Sequence, residues 1–309
     1  MAKVLITPRS LTKAGHPSFE LLEKAGYEVV YCTPGQQPDE AELIRILPGC
    51  IGYLAGVEKV SARALEAADI LKVISRNGSG IDNIDAEAAE RKGITICKTE
   101  GANAKGVAEL TIGLMYALSR AITFHDARLK AESWERRKGF ELEGRTLGMI
   151  GCGQIGEETA VRALGIGMKV LAYRRHPDKS FAPSKDFRWA SLEEVIEQSD
   201  VLSLHRPANP DGSPVITAEV LAGMKKGALL VNTARGGLID DQAVLAALNE
   251  GRLAGVATDV YQKEPPEDYS LARHERVIAT PHIGAFTEES VERATVAAVE
   301  NIIETLKRQ

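Results

Sequence analysis

Arg235, Glu264 and His282 are residues whose types, taken together, fit proton-coupled chemistry at an oxygen next to a carboxylate. A histidine titrates near neutral pH and can give a proton to a carbonyl oxygen or take one from a hydroxyl, the work expected of His282. A carboxylate on its other ring nitrogen fixes the tautomer and favours the imidazolium, which is the part Glu264 would take. A guanidinium can grip a substrate carboxylate in a fork while polarising the adjacent carbonyl, which suits Arg235. Such a set would serve hydride transfer between a carbon-bound oxygen and a nicotinamide. Singly, each of the three would be ordinary solvated surface. Each follows a short apolar run, however, and the ends of buried strands are where α/β proteins place their ligands.

A second constellation is the run Gly151-Cys-Gly-Gln-Ile-Gly156. Gly151, Gly153 and Gly156 have the spacing that lets backbone approach a pyrophosphate at a helix N-terminus. Among 28 glycines such spacing can arise by chance, and a plain strand-to-helix corner also uses glycine. The context favours a dinucleotide: residues 146–150 read as a strand, and residues 157–164 carry apolar side chains at helical intervals before Gly165 and Gly167. A next strand, residues 168–173, ends in Arg174 and Arg175. About twenty residues past the glycines an acidic residue would accept a ribose 2′-hydroxyl, whereas guanidinium groups can clamp a 2′-phosphate. The pair therefore points to NADP(H), with NAD(H) possible; the competing reading is a solvated basic loop.

A third stretch, residues 76–85, is a glycine-rich turn after a strand end. Gly78 and Gly80 would leave the amides of residues 77–80 free to meet a carboxylate as a small nest. A tight turn capped by Asp82 or Asp85 is the alternative. Arg9, near the end of the first strand, could reach a phosphate or second carboxylate, or be surface decoration.

The elements that would position these residues alternate between strand and helix. Strands are predicted at residues 3–7, 28–32, 51–55, 72–75 and 94–97, with helices at 17–25, 39–47 and 62–67. A long helix follows at 105–119, with Val107, Leu110, Leu114 and Leu118 on one face. Residues 120–144 turn polar and basic around Trp134 and read as an excursion from the body. Beyond the glycine turn, helices at 191–199, 217–224 and 240–248 alternate with strands at 200–204, 228–233, 253–260 and 277–279, and a helix at 288–307 closes the chain. The fold class expected is α/β, with two Rossmann-like doubly wound parallel-sheet domains and a cleft between them.

Composition narrows the function. A formal charge of -5 and few aromatic residues give no basic stripe for nucleic acid. No apolar run approaches the roughly 20 residues that span a bilayer. The chain opens on a strand without an apolar leader, so a cytoplasmic location and no membrane partner are expected. Cys32, Cys50, Cys97 and Cys152 are widely spaced and read as buried free thiols; no metal site is expected. Cys152, between two turn glycines, is better explained by packing than by nucleophilic catalysis.

With Asn77-Gly-Ser-Gly80, Val107-Ala-Glu-Leu-Thr111, Gly151-Cys-Gly-Gln-Ile-Gly156, Val231-Asn-Thr-Ala-Arg-Gly-Gly237, Asp259-Val-Tyr-Gln-Lys-Glu264 and Pro281-His-Ile-Gly284 in this order, the chain resembles the D-isomer-specific 2-hydroxyacid dehydrogenases. That family includes phosphoglycerate dehydrogenase and glyoxylate/hydroxypyruvate reductase, and the resemblance covers nearly the full length. It implies Arg235, Glu264 and His282 as the catalytic trio and Asp259 as the partner of the nicotinamide carboxamide. It implies that Gln154 and Ile155 meet the pyrophosphate, that His205, Pro207 and Thr233 line the cofactor, and that Thr111 lies near the nicotinamide, with Gly284 in the same cofactor set. Asn77, Gly78, Ser79 and Gly80 would hold the substrate carboxylate. It implies a discontinuous substrate-binding domain, residues 1–98 plus 288–309, a dinucleotide-binding domain at 99–287, and a homodimer built through an arm at about 120–144.

The chain departs from the family pattern in two places. Asn209 stands where threonine is frequent, on the adenosine side, and Arg174-Arg175 replaces the usual acidic residue and puts NAD preference in doubt. The chain ends without a regulatory module, so feedback through one is not expected. The activity anticipated is NADP(H)-linked reduction of glyoxylate, hydroxypyruvate or a phosphoglycerate-type acid. The alternative is a nucleotide-sensing, corepressor-like binding protein of the same fold. Formate oxidation is disfavoured, because formate has no adjacent alcohol oxygen to need a His–Glu pair.

Overall fold

The computed structural model describes residues 1–308; Gln309, the last residue of the expected 288–309 segment, lies outside the described residues. The chain divides into two compact units, Met1–Asn103 with Glu288–Gln309, and Ala104–Thr287.

The first unit begins β1 (Ala2–Ile6), α1 (Arg9–Ala14), α2 (Phe19–Lys24), β2 (Tyr27–Tyr31), α3 (Glu40–Ile46), β3 (Cys50–Ala55), α4 (Ala62–Ala67), β4 (Val73–Arg76), α5 (Ala86–Arg91) and β5 (Thr95–Lys98). The strands form one parallel sheet in the order β2-β1-β3-β4-β5. Val4, Leu5 and Ile6 are wholly buried, the continuous apolar run that a sheet covered on both faces demands. Three helices start where a side chain satisfies an otherwise unpaired amide: Asp39 accepts from Glu42 N, Ser61 from Ala64 N, and Asp85 from Ala88 N. The strand order reverses between β1 and β3, so Thr7 and Gly56 flank the switch point at which open α/β sheets form their crevice.

The second unit contains α6 (Ala104–Ser119), α7 (Ile122–Lys130), β6 (Thr146–Ile150), α8 (Gln154–Gly165), β7 (Lys169–Tyr173), β8 (Phe187–Trp189), α9 (Leu192–Gln198), β9 (Val201–Leu204), α10 (Ala218–Gly223), β10 (Ala228–Asn232), α11 (Asp241–Asn249), β11 (Leu253–Thr258) and β12 (Val277–Ala279). Its sheet runs β12-β11-β10-β9-β6-β7-β8, all parallel, with the switch between β6 and β9. One core packs Leu114 and Met115 of α6 and Ala160 and Ala163 of α8 against Leu147, Val170 and Val231 of the sheet. The other packs Val195 of α9, Leu221 of α10 and Val244 of α11 against the opposite face, at Leu202, Leu230 and Val256.

The closing helix α12 (Glu288–Lys307) returns to the first unit. Ala294, Ala298, Val299 and Ile302 lie on its buried stripe at helical spacing. A side-chain carbon at Gly52 would come within 3.0 Å of Ile302, so the glycine lets the helix lie close on β3. Burying a side chain such as Ile302 contributes about 1.5–3 kcal/mol.

Elements the sequence reading did not foresee are short or lack an apolar stripe. Helix α1 occupies the stretch read as a strand end, so Arg9 is a helical residue. β8 is a three-residue edge strand. Within residues 120–144, read as an excursion, the chain first forms α7, where Phe124 is the buried residue. It then returns through Phe140, whose amide donates to Ser119 O, and buried Leu142. Cys97 is half-buried rather than buried. Among the described residues no single helix is long and apolar enough to cross a membrane.

Candidate active site

The glycine turn sits at the carboxyl end of β6, on the switch point of the second sheet. Gly151 has φ +92°, and a side chain there would run into the backbone carbonyl of His205, which follows β9. The position needs glycine for both reasons. Gly156 fits helix to strand, since a side-chain carbon would stand 3.3 Å from Gly151 O and 3.3 Å from the Met149 side chain. Gly153 differs: nothing lies within 4 Å of where its side chain would point. It is the N-cap of α8 and supplies no side-chain hydrogen bond, so the first amides of that helix, from Gln154, Ile155 and Gly156, have no side-chain cap. Open space over amides at a helix N-terminus is the environment an anion prefers, and these residues fit a pyrophosphate.

The other predicted cofactor residues follow strand ends of the same sheet, except Thr111, which lies on α6. Arg174 and Arg175 follow β7, and Arg174 Nη1 donates to Cys152 O at 3.3 Å. Burial, and then the Glu157 charge, push the Cys152 thiol up to about 12 against the opposing Arg174 charge, so it is no thiolate nucleophile. His205 donates its amide to Ile150 O at 2.8 Å and places Nε2 2.9 Å from Ser203 Oγ. Burial lowers its ring to about 4, so it is neutral at physiological pH. Pro207 follows in a loop braced by Asn209, which accepts from Arg206 and donates to Ser213 O. Thr111 of α6 and Thr233 after β10 are both buried, with their hydroxyls 2.9 Å apart.

Arg235, Asp259 and His282 lie beyond β10, β11 and β12, three adjacent strands. Glu264 Oε2 lies 2.6 Å from His282 Nδ1, leaving Nε2 as the other ring nitrogen. Burial would raise the Glu264 carboxyl, but the His282 bond and charge, the Tyr261 amide and the Arg235 charge outweigh it and hold it below the ordinary carboxylate value. Arg235 is half-buried, with Nη1 on Ala234 O at 2.7 Å and its own carbonyl taken by Asn232 Nδ2 at 2.8 Å.

Asp259 has a place that motif reasoning did not anticipate. It is 1% exposed, and its Oδ1 accepts from Thr280 Oγ1 at 2.6 Å and from Ile283 N at 2.8 Å. Its Oδ2 accepts from Gly284 N at 2.8 Å. The carboxylate thus grips the segment on both sides of His282, whose φ of +52° is a left-handed conformation unfavourable to a residue with a side chain. Tyr261 adds a bond from its hydroxyl to Thr280 O at 2.9 Å. Nothing in the run Thr280 to Gly284 signals this clamp, because its acceptor lies on another strand.

In the first unit the expected nest is smaller than the sequence suggested. Asn77 N donates to Ala55 O at 2.9 Å and Gly78 N to Arg76 O at 2.8 Å, so those two amides are not free for a ligand. The first is consumed by pairing with the end of β3 and the second by the tight turn itself. The amides of Ser79 and Gly80 take no backbone carbonyl among the described residues. Asp85 caps α5, as the turn-cap alternative supposed. Arg9 is exposed and hydrogen-bonded to Gln37 Oε1 at 3.1 Å. At the switch point, buried Glu58 accepts from Tyr53 Oη at 2.5 Å, Gly56 N at 2.8 Å and Thr7 Oγ1, while Asn83 Nδ2 holds the Glu58 carbonyl at 2.6 Å.

These features define a doubly wound α/β protein with a dinucleotide-type glycine turn and a histidine–carboxylate pair on neighbouring strand ends. Residues 112–284 match the model of the D-isomer specific 2-hydroxyacid dehydrogenase, NAD binding domain. The chain is 40% identical over 274 residues to hydroxypyruvate reductase of Thermotoga maritima, covering 87% of this chain and 89% of that protein. It is 40% identical over 277 residues to human D-3-phosphoglycerate dehydrogenase, covering 89% of this chain and 51% of the relative, so it spans about half the length of the phosphoglycerate dehydrogenases it matches. Its fold matches a crystal structure of a Thermus thermophilus protein with TM-score 0.89 and 34% identity, over 99% of this chain and 97% of that one. The chain belongs to the D-isomer specific 2-hydroxyacid dehydrogenase family.

Proposed function

We propose that the protein is an NADP(H)-preferring reductase of small 2-oxo acids, acting in the glyoxylate, hydroxypyruvate or phosphoglycerate class. The observation that carries this reading is the 2.6 Å pair between His282 Nδ1 and Glu264 on a loop gripped by Asp259. The nicotinamide supplies the hydride. Imidazolium Nε2 of His282 donates the proton to the substrate's 2-oxo oxygen, and Glu264 stabilises the imidazolium before transfer. Arg235 holds the substrate carboxylate and polarises the carbonyl. In the reverse direction His282 accepts the alcohol proton.

The second unit is the dinucleotide-binding part and the first the substrate-binding part. The amides of Gln154, Ile155 and Gly156 take the pyrophosphate over Gly153. Thr111, His205, Pro207, Thr233, Asp259 and Gly284 line the cofactor, Asp259 adding to its loop clamp a bond to the carboxamide. Arg174 and Arg175 take the 2′-phosphate at a position where an acidic residue would repel it. The chain works as a homodimer through residues 120–144, where Trp134 is 81% exposed.

Initial rates with NADPH and NADH on glyoxylate, hydroxypyruvate and phosphohydroxypyruvate test this. The expected result is a kcat/KM at least about tenfold higher with NADPH, lost in Arg174→Ala/Arg175→Ala. Equal efficiency with both cofactors contradicts the arginine assignment. Tight cofactor binding without turnover of any 2-oxo acid favours the nucleotide-sensing reading instead.

A further inference from the structure

Tyr261 lies just beyond the end of β11 and makes hydrogen bonds in two directions. Its amide donates to Glu264 Oε1 at 3.1 Å and its hydroxyl to Thr280 O at 2.9 Å. Thr280 O also accepts the His282 amide at 3.0 Å, and Glu264 Oε2 lies 2.6 Å from His282 Nδ1. Four hydrogen bonds thus close a circuit from Tyr261 through Glu264, the His282 ring, the His282 backbone and Thr280 back to Tyr261. The loop of Arg235 is seated on the same segment, because a side chain at Gly236 would run into the Tyr261 carbonyl. Gln262 Nε2 adds bonds to Gly236 O at 3.4 Å and Ile239 O at 3.2 Å.

The hydroxyl has a task that the Asp259 clamp does not perform. Asp259 holds the Thr280 side chain and the amides of Ile283 and Gly284, which are the flanks of the His282 turn. Between those flanks Pro281 has no amide to give, and the His282 amide is spent inside the turn on Thr280 O. The turn is closed on itself, and the carbonyl that closes it is oriented by Tyr261. A side chain at φ +52°, as at His282, persists only where its surroundings over-determine it. Burial, and then the Asp259 and Glu264 charges, raise the Tyr261 hydroxyl above its ordinary value, so it remains a protonated donor. A phenylalanine ring would fill the same space without this bond.

We propose that Tyr261 is a positioning residue for the proton transfer, its amide orienting Glu264 and its hydroxyl orienting the turn that carries His282. The proposal rests on the reductase reading above. Tyr261 gives no proton to the substrate; it acts through His282 and Glu264, fixing the direction in which Nε2 points. A misplacement of about 1 Å in such a group can cost about 10²-fold in rate, so the lost hydroxyl reads out in turnover rather than in binding.

Steady-state kinetics and thermal unfolding of the full chain test it with Tyr261→Phe, which keeps the ring and removes the hydroxyl. With NADPH and hydroxypyruvate, kcat is expected to fall about tenfold while both KM values stay within about twofold. The melting temperature is expected to fall by less than about 3 °C, since Thr280 O keeps the His282 amide. In a Glu264→Gln background the same substitution is expected to cost less than about threefold, because two residues acting through one histidine are not additive. An unchanged kcat, or the same loss in both backgrounds, overturns the proposal while leaving the reductase reading standing. So does a loss of fold, or a fall in kcat matched by a rise in KM, either of which makes the hydroxyl structural. No turnover of any 2-oxo acid by the wild type overturns the reductase reading, and the proposal with it.

Discussion

The carboxyl ends of the two sheets make a contrast. In the second unit the acidic side chains at the strand ends are filled from within: Asp259 receives three protein donors and Glu264 two. In the first unit, three buried oxygens at the ends of β4 and β5, Asn77 Oδ1, Thr99 Oγ1 and Asn103 Oδ1, receive none. The same topology leaves its strand ends in opposite states of hydrogen-bond satisfaction. A proton donor needs one fixed tautomer and one fixed loop, so its supporting hydrogen bonds are built into the fold. The oxygens at the ends of β4 and β5 carry in the free protein the cost of buried groups left unmet.

Removing one member of each set sharpens the contrast. Asp259→Ala leaves three donors without an acceptor and releases the left-handed backbone at His282, so the unfolding free energy is expected to fall by about 3–5 kcal/mol. Denaturant unfolding measures this, and a loss below about 1 kcal/mol would mean that the clamp is not structural. Thr99→Val breaks no hydrogen bond in the free protein and removes an unmet hydroxyl of similar shape. Its stability in the same experiment is expected to be unchanged or raised, by up to about 1 kcal/mol. A clear destabilisation would show that Thr99 Oγ1 is satisfied in solution, and the contrast would collapse.

How much of this could be read in the chain follows from what each feature depends on. Six of the second sheet's seven strands, all but the edge strand β8, were legible because their apolar runs are continuous and each ends in glycine or a polar residue, as from Ala228 to Arg235. Gly151, Gly153 and Gly156 were legible as a set, but their division of labour was not. Only the approach of the His205 carbonyl to Gly151, and the open space at Gly153, separate a glycine needed by the fold from one left clear for a ligand. Helix α7 escaped because a helix with one buried side chain has no stripe to detect. The nest at residues 77–80 was overestimated because the partners that consume two of its amides, Ala55 O and Arg76 O, depend on strand pairing and turn geometry that spacing does not show. The Asp259 clamp and the orphaned Thr99 were invisible for the same reason: hydrogen-bond satisfaction is a property of three dimensions, and polar residue types announce the need without the outcome.

His282 is the group proposed to give the proton, and the pH dependence of kcat/KM for hydroxypyruvate reduction, measured in the wild type and in His282→Gln, tests that most directly. Glu264 is held below the ordinary carboxylate value by the His282 bond and charge, which keeps it the ionised partner of a His282 that gives the proton. The wild type is expected to lose activity as pH rises and one proton leaves. His282→Gln is expected to be flat across the same range and at least about 10²-fold slower. A variant that kept the wild-type rate and the same falling profile would contradict the assignment.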